Sequence, residues 1–145
     1  MKEREALIQE FWRRMSTVTG VQKTARNPKT PPTLEDLPCI QFFEMADNVR
    51  EGSARGGKPV YRRELQLVLE TFYEGSSEAA SSQELGSFVE DMKSKLYEGG
   101  SNLGGTCSMI EETQASRILR PQLGEHVAGI ALVLLITYIE DTTLL

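Results

Sequence analysis

The residues able to do chemistry in this 145-residue chain are few and scattered. Its one histidine, His126, stands just before the last apolar run. A metal site or a nucleophile–base pair needs partners at set spacings, and no such partners surround it. His126 reads as a surface or interface imidazole. Glu111-Glu112 and Glu140-Asp141 are adjacent carboxylates at the ends of strand-like segments. Neighbours on a strand point to opposite faces, so neither pair makes an acid/base couple by itself. Gly56-Gly57-Lys58 lacks the first glycine and the following Ser/Thr of a phosphate loop, and it leads into a strand pattern rather than a helix. Cys39 and Cys107 sit in apolar, strand-like contexts and read as buried reduced thiols, with a disulfide as the alternative. The expectation is binding or assembly: no enzyme, no cofactor, no metal.

Bulk properties agree with a single soluble globular domain over residues 1–145. The net charge of −5 is unevenly spread: residues 1–74 carry twelve Lys/Arg against eleven Asp/Glu, and residues 75–145 carry four against ten. An acidic half opposes tight nucleic-acid binding, because phosphate contacts need Lys and Arg. The charged start MKEREALIQEFW has no apolar signal region, so assembly in a reducing cytosol is expected.

The element that must organise the rest is the run over residues 127–139, interrupted only by Gly129 and Thr137. At period two, Ala128, Ile130, Leu132, Leu134, Ile136 and Tyr138 share one face, and Val127, Ala131, Val133, Leu135 and Ile139 share the other. It is too short for a membrane span, which takes about 20 apolar residues. A β-branched segment apolar on both faces is a central strand. The chain's own helices can cover the first face; the second points to a partner subunit.

Residues 2–18 place Leu7, Ile8, Phe11, Trp12, Met15 and Val18 on one helical face, with Arg13 and Arg14 opposite and a Glu10–Arg14 pair in support. Prolines 28, 31, 32 and 38 then impose an extended loop, whose Lys23, Arg26 and Lys29 read as solvated. Residues 39–46 read as a strand, 48–59 as a long, flexible, basic loop, and 60–74 as a long alternating strand, together a hairpin with an oversized tip. Residues 83–96 form a second helix, with Leu85, Phe88, Val89, Met92 and Leu96 as its stripe and Gly99-Gly100 as its stop. Residues 106–113 read as a short strand, and 114–124 as a connection. The expected fold is α+β: a mostly antiparallel sheet of about four or five strands, two helices on one face, and a long hairpin arm.

This order of elements carries a resemblance. A helix closing on "TGV", a Pro-rich loop into "LPCIQFFE", a basic hairpin into "YRRELQLVLETF", the helix "SSQELGSFVEDMKSKLY", then "LGG", "EET" and "GIALVLLITYIED" together resemble the tail terminator proteins of long-tailed bacteriophages. These are also called minor tail protein U or tail completion proteins. The resemblance runs from Lys2 to Asp141 as a pattern of elements, without one diagnostic motif. It implies a virion protein at the head-proximal end of the tail, assembled in the host cytoplasm as a hexameric ring. That ring would cap the tail tube, end tube growth and offer a joining surface to the head–tail connector. DNA would pass through its lumen without specific binding, past an acidic lining that opposes adhesion. No catalytic residues carry over. The expected subunit contacts come from the residues themselves: Arg50, Arg55, Lys58 and Arg62 of the basic arm, meeting acidic groups of a neighbour, and Val133 and Leu135 on the second face of the last strand. Other neck components share the same size and ring habit, and a small-ligand binding module is the rival class.

Overall fold

The computed structural model describes residues 1–144, with backbone alone at Arg55. Helix α1 spans Lys2–Ser16. Its stripe buries Leu7, Ile8, Phe11 and Met15, while Glu3 and Glu5 in the first turn and Arg13 and Arg14 in the last oppose the helix dipole. Strand β1 (Lys23–Arg26) follows, then β2 (Cys39–Arg55), β3 (Lys58–Glu74), helix α2 (Ser81–Leu96), β4 (Met109–Glu112), β5 (Arg117–Leu119) and β6 (Val127–Asp141). Among the described residues these strands form one six-stranded sheet in the order β1-β2-β3-β6-β4, with β5 also paired to β6. Only β1 against β2 is parallel.

The expected α+β architecture holds, with β3 as the middle strand and β6 an interior strand between β3 on one side and β4 and β5 on the other. An unbroken antiparallel ladder joins β3 to β6 from Val60↔Asp141 to Glu74↔Val127. Both helices lie on one face. Leu65, Leu67 and Leu69 of β3 and Leu132, Leu134, Ile136 and Tyr138 of β6 pack beneath the stripes of α1 and α2. Phe11 meets Phe42 edge to face, with ring centroids 5.0 Å apart. The Trp12 indole donates to Thr24 Oγ1 at 3.1 Å, tying α1 to the edge strand β1.

Four local expectations change. The segment read as a flexible loop is strand: β2 runs on to Arg55 and turns on Gly56 and Gly57, whose positive φ values of 55° and 82° suit a two-residue hairpin turn. Cross-strand pairing imposes order on a composition of Gly, Ser and Arg that carries no strand signal of its own. Two register shifts, at Glu44/Asp47 and Val49/Glu51, bulge β2 and leave its outer edge irregular beyond the end of β1. The extended piece at 23–26 and part of the connection at 114–124 are strands, too short for periodicity to mark. The strand expected over 106–113 contracts to Met109–Glu112, so Cys107 precedes it. Arg14, placed on the solvent face by helical spacing, is buried at 6% exposure. Its Nη1 donates to the carbonyls of Leu96 at 3.1 Å and Glu98 at 2.8 Å, capping the end of α2, while its Nε donates to Glu10 at 3.0 Å.

The chain reverses into α2 at Gly75, whose N–H donates to the His126 carbonyl at 2.8 Å. A Cβ added at Gly75 would lie 2.5 Å from the Ser81 Cα, a backbone atom that cannot swing aside. Gly75→Ala is therefore expected to destabilise the fold by about 1–3 kcal/mol through overpacking, read as a lowered urea midpoint with an unchanged slope.

Candidate assembly surface

The second face of the sheet is closed at one end only. There Leu37, Cys39 and Phe72 form a small cluster with Leu119, Leu123 and Val127. Beyond it, Phe43, Val68 and Val133 lie directly opposite one another on β2, β3 and β6. All three are half-buried, as is Leu135. Met45 at the first bulge and Ile139 near the end of β6 are 61% and 46% exposed. Around this apolar band sit Gln41, hydrogen-bonded to Glu70 at 2.7 Å, and the pairs Arg50–Glu64 at 2.9 Å and Arg62–Glu51 at 3.5 Å. An apolar centre with a polar rim is the composition of a protein contact surface.

Val133 and Leu135 thus fall in the open band. Arg50 and Arg62 stand on the same face of the hairpin, each paired within the chain to a carboxylate. Arg55 and Lys58 flank the turn; the Arg55 side chain lies outside the described residues. His126 is half-buried at the entry to β6, and its Nδ1 is enclosed without a hydrogen-bond partner among the described residues. Glu112 pairs with Lys93 of α2, and Glu140 accepts from Arg63 Nε at 2.8 Å. Cys39 and Cys107 are free and buried, and burial pushes both thiols up to about 11. Among the described residues no group of three or more His, Cys, Asp or Glu is placed to hold a metal. None of the described helices is long and apolar enough to cross a membrane.

Sequence reading missed one cluster. Asp47 stands where the first bulge changes which face of β2 its side chain joins, and it turns toward the helices. It pairs with Arg4 of α1 at 3.0 Å, accepts the Tyr138 hydroxyl, and has Arg63 Nη1 3.5 Å from its other oxygen. Burial and the Asp47 carboxylate together push the Tyr138 hydroxyl well above the ordinary phenol range. The cluster fastens the root of the hairpin to α1. A strict two-residue alternation cannot find it, because the bulge breaks that alternation.

Cavities at the surface are open and modest. One mainly apolar cavity, about 220 Å³, lies between α2 and β6 and is lined by Leu85, Val89, Ile118 and Ile130. It falls below the range of about 300–1,000 Å³ usual for drug-sized ligands.

No family model and no curated protein sequence matches the chain. Among solved structures, a chain from the virion of a native gene transfer agent particle aligns with a TM-score of 0.38 at 7% identity, covering 92% of this chain and 92% of that one. A second solved chain, which carries no functional name, aligns with a TM-score of 0.43 at 14% identity over 91% of this chain and 94% of its own. Function is therefore argued from the surfaces of this chain.

Two expectations follow from the charge clusters. Asp47→Ala takes the carboxylate from Arg4 and from the buried Tyr138 hydroxyl, while Arg63 keeps Glu140, and is expected to cost about 1–3 kcal/mol in chemical denaturation. Hydrogen bonds from Arg13 and then Arg14 hold Glu10 at about 2, and those from Arg26 and then Gln9 hold Glu5 at about 2, both below the ordinary 4.5. A carboxylate depressed in the folded state stabilises it above the unfolded value and loses that contribution as pH falls through the folded one. The thermal midpoint should therefore fall between pH 4.5 and 2, with solvent screening holding the drop below what the shifts alone imply. Glu10→Gln should flatten that fall.

Proposed function

We propose that this chain is a structural virion protein, a tail terminator, whose copies assemble into a ring on the last ring of the phage tail tube. The ring ends tube polymerisation and presents a surface for head–tail joining. The observation that carries the reading is the open apolar band of Phe43, Val68, Val133 and Leu135 at the middle of the sheet. A central strand apolar on both faces, with helices over one face only, needs a second cover, and association supplies it by removing that band from water. The long hairpin and the order of elements shared with tail terminators support the same reading.

In this role the chain has no bond to make or break. Its work is complementarity: an apolar contact for affinity, and charged rims for register and choice of partner. The uneven charge suits the task as well, since an acidic lining lets DNA traverse a lumen without adhering.

Mass in solution tests the reading, by light scattering after size exclusion across protein and salt concentrations. A ring-sized species is expected, or a monomer that converts to one when purified tail tubes are added. A monomer indifferent to tubes would turn the assignment toward a ligand-binding module. In the double variant V133E/L135E, assembly is expected to be lost while the far-ultraviolet circular dichroism stays that of the wild type.

A further inference from the structure

Charge along the sequence changes sign about the middle of β3. Residues 50–63 hold five Lys/Arg and one Asp/Glu, whereas residues 64–92 hold seven Asp/Glu and no Lys or Arg. The basic stretch surrounds the hairpin turn at one end of β3; the acidic stretch begins on β3 itself and continues through α2 beyond its other end. At about 3.3 Å per residue, the 17 residues of β3 separate those two ends by roughly 50 Å.

At the acidic end there is a groove of about 390 Å³ between α2 and the corner where Gly20 meets Pro38. Pro38, Tyr73 and Phe88 give it apolar surface, and Glu84, Ser87 and Asp91 line it from α2. Glu84 is held in place by the Ser76 N–H at 3.0 Å, and Asp91 is exposed. Seven residues along a helix place these two carboxylates on one flank, about 10 Å apart. At the other end, the hairpin narrows to Gly56-Gly57, with Arg55 and Lys58 opposite each other just behind. A tip of two glycines is slim enough to enter a groove, and the residue types flanking it are basic where the groove is acidic.

We propose that the hairpin tip of one copy seats in this acidic groove of the next copy. The inference rests on the self-assembly proposed above and names its contact. The tip and groove are unlike patches at opposite ends of one subunit, so no chain can fill its own groove, and copies arranged head to tail each offer a tip to one neighbour and a groove to the other. Made head to tail, such a contact is heterologous, and its repetition gives a ring when the rotation between neighbours closes. The apolar floor supplies burial, and the charge pairs set register and make the contact salt-sensitive.

The test uses the full chain in two reversed forms, R55E/K58E at the tip and D91K/S87K at the groove, each compared with wild type by light scattering. Either variant alone is expected to raise the concentration needed for assembly roughly tenfold or more. An equal mixture of the two should assemble as wild type does, because each reversed tip then finds a reversed groove. That rescue also shows that both variants fold. Wild-type rings with both variants unaffected would overturn the contact and leave the ring reading standing. Loss of assembly without rescue by mixing would also overturn the contact, and a species that stops at two copies would overturn its head-to-tail repetition. A wild type that stays monomeric even with tail tubes would remove the ring reading and this contact together.

Discussion

The structure depends on the pairing of β6 with β3. That ladder is long and uninterrupted, and it places a segment with almost no polar side chains at the centre of a small protein. Strand geometry then forces the consequence. Side chains alternate, so a strand rich in Leu, Ile and Val on every position presents an apolar face on each side. Two amphipathic helices cover one of them. In a chain of this size no layer remains for the other, beyond the loop residues that close one end. The half-open second face thus follows from the composition of the same strand that fills the core beneath the helices.

The helical face shows how far such reasoning reaches from residues alone. The stripes Leu7/Ile8/Phe11/Met15 and Leu85/Phe88/Val89/Met92/Leu96 are buried as their spacing requires. The alternation of β3 and β6 also places the correct residues under them. Arg14 escapes this logic because periodicity tells which way a side chain points, not what waits there. The open carbonyls at the end of α2 make a guanidinium the right group to bury. The arm escapes for the opposite reason: Gly, Ser, Asn and Arg lack intrinsic strand preference, and the pairing with β3 makes residues 47–55 extended.

For the surface, the sequence reveals the ingredients better than their arrangement. Val133 and Leu135 are legible as the second face of β6, and the basic character of the hairpin is plain. That Arg50 and Arg62 already hold Glu64 and Glu51 is a matter of register, which the bulges shift and composition does not encode. Asp47 is hidden by the same shift. The acidic groove is hidden for another reason: Pro38, Tyr73 and Asp91 lie far apart in sequence and meet only once the sheet and α2 are assembled.

The two bulges of β2 have a consequence for the subunit before it finds its place. Beyond β1, the outer margin of β2 presents backbone amides and carbonyls to solvent, and a straight margin of that kind invites other strands to add without limit. Here the spacing of those groups falls out of step twice, between Glu44 and Asp47 and again between Val49 and Glu51. A foreign strand laid along it would lose its match after a few residues. A margin of this kind resists fibre growth even while the apolar face of the sheet stays open.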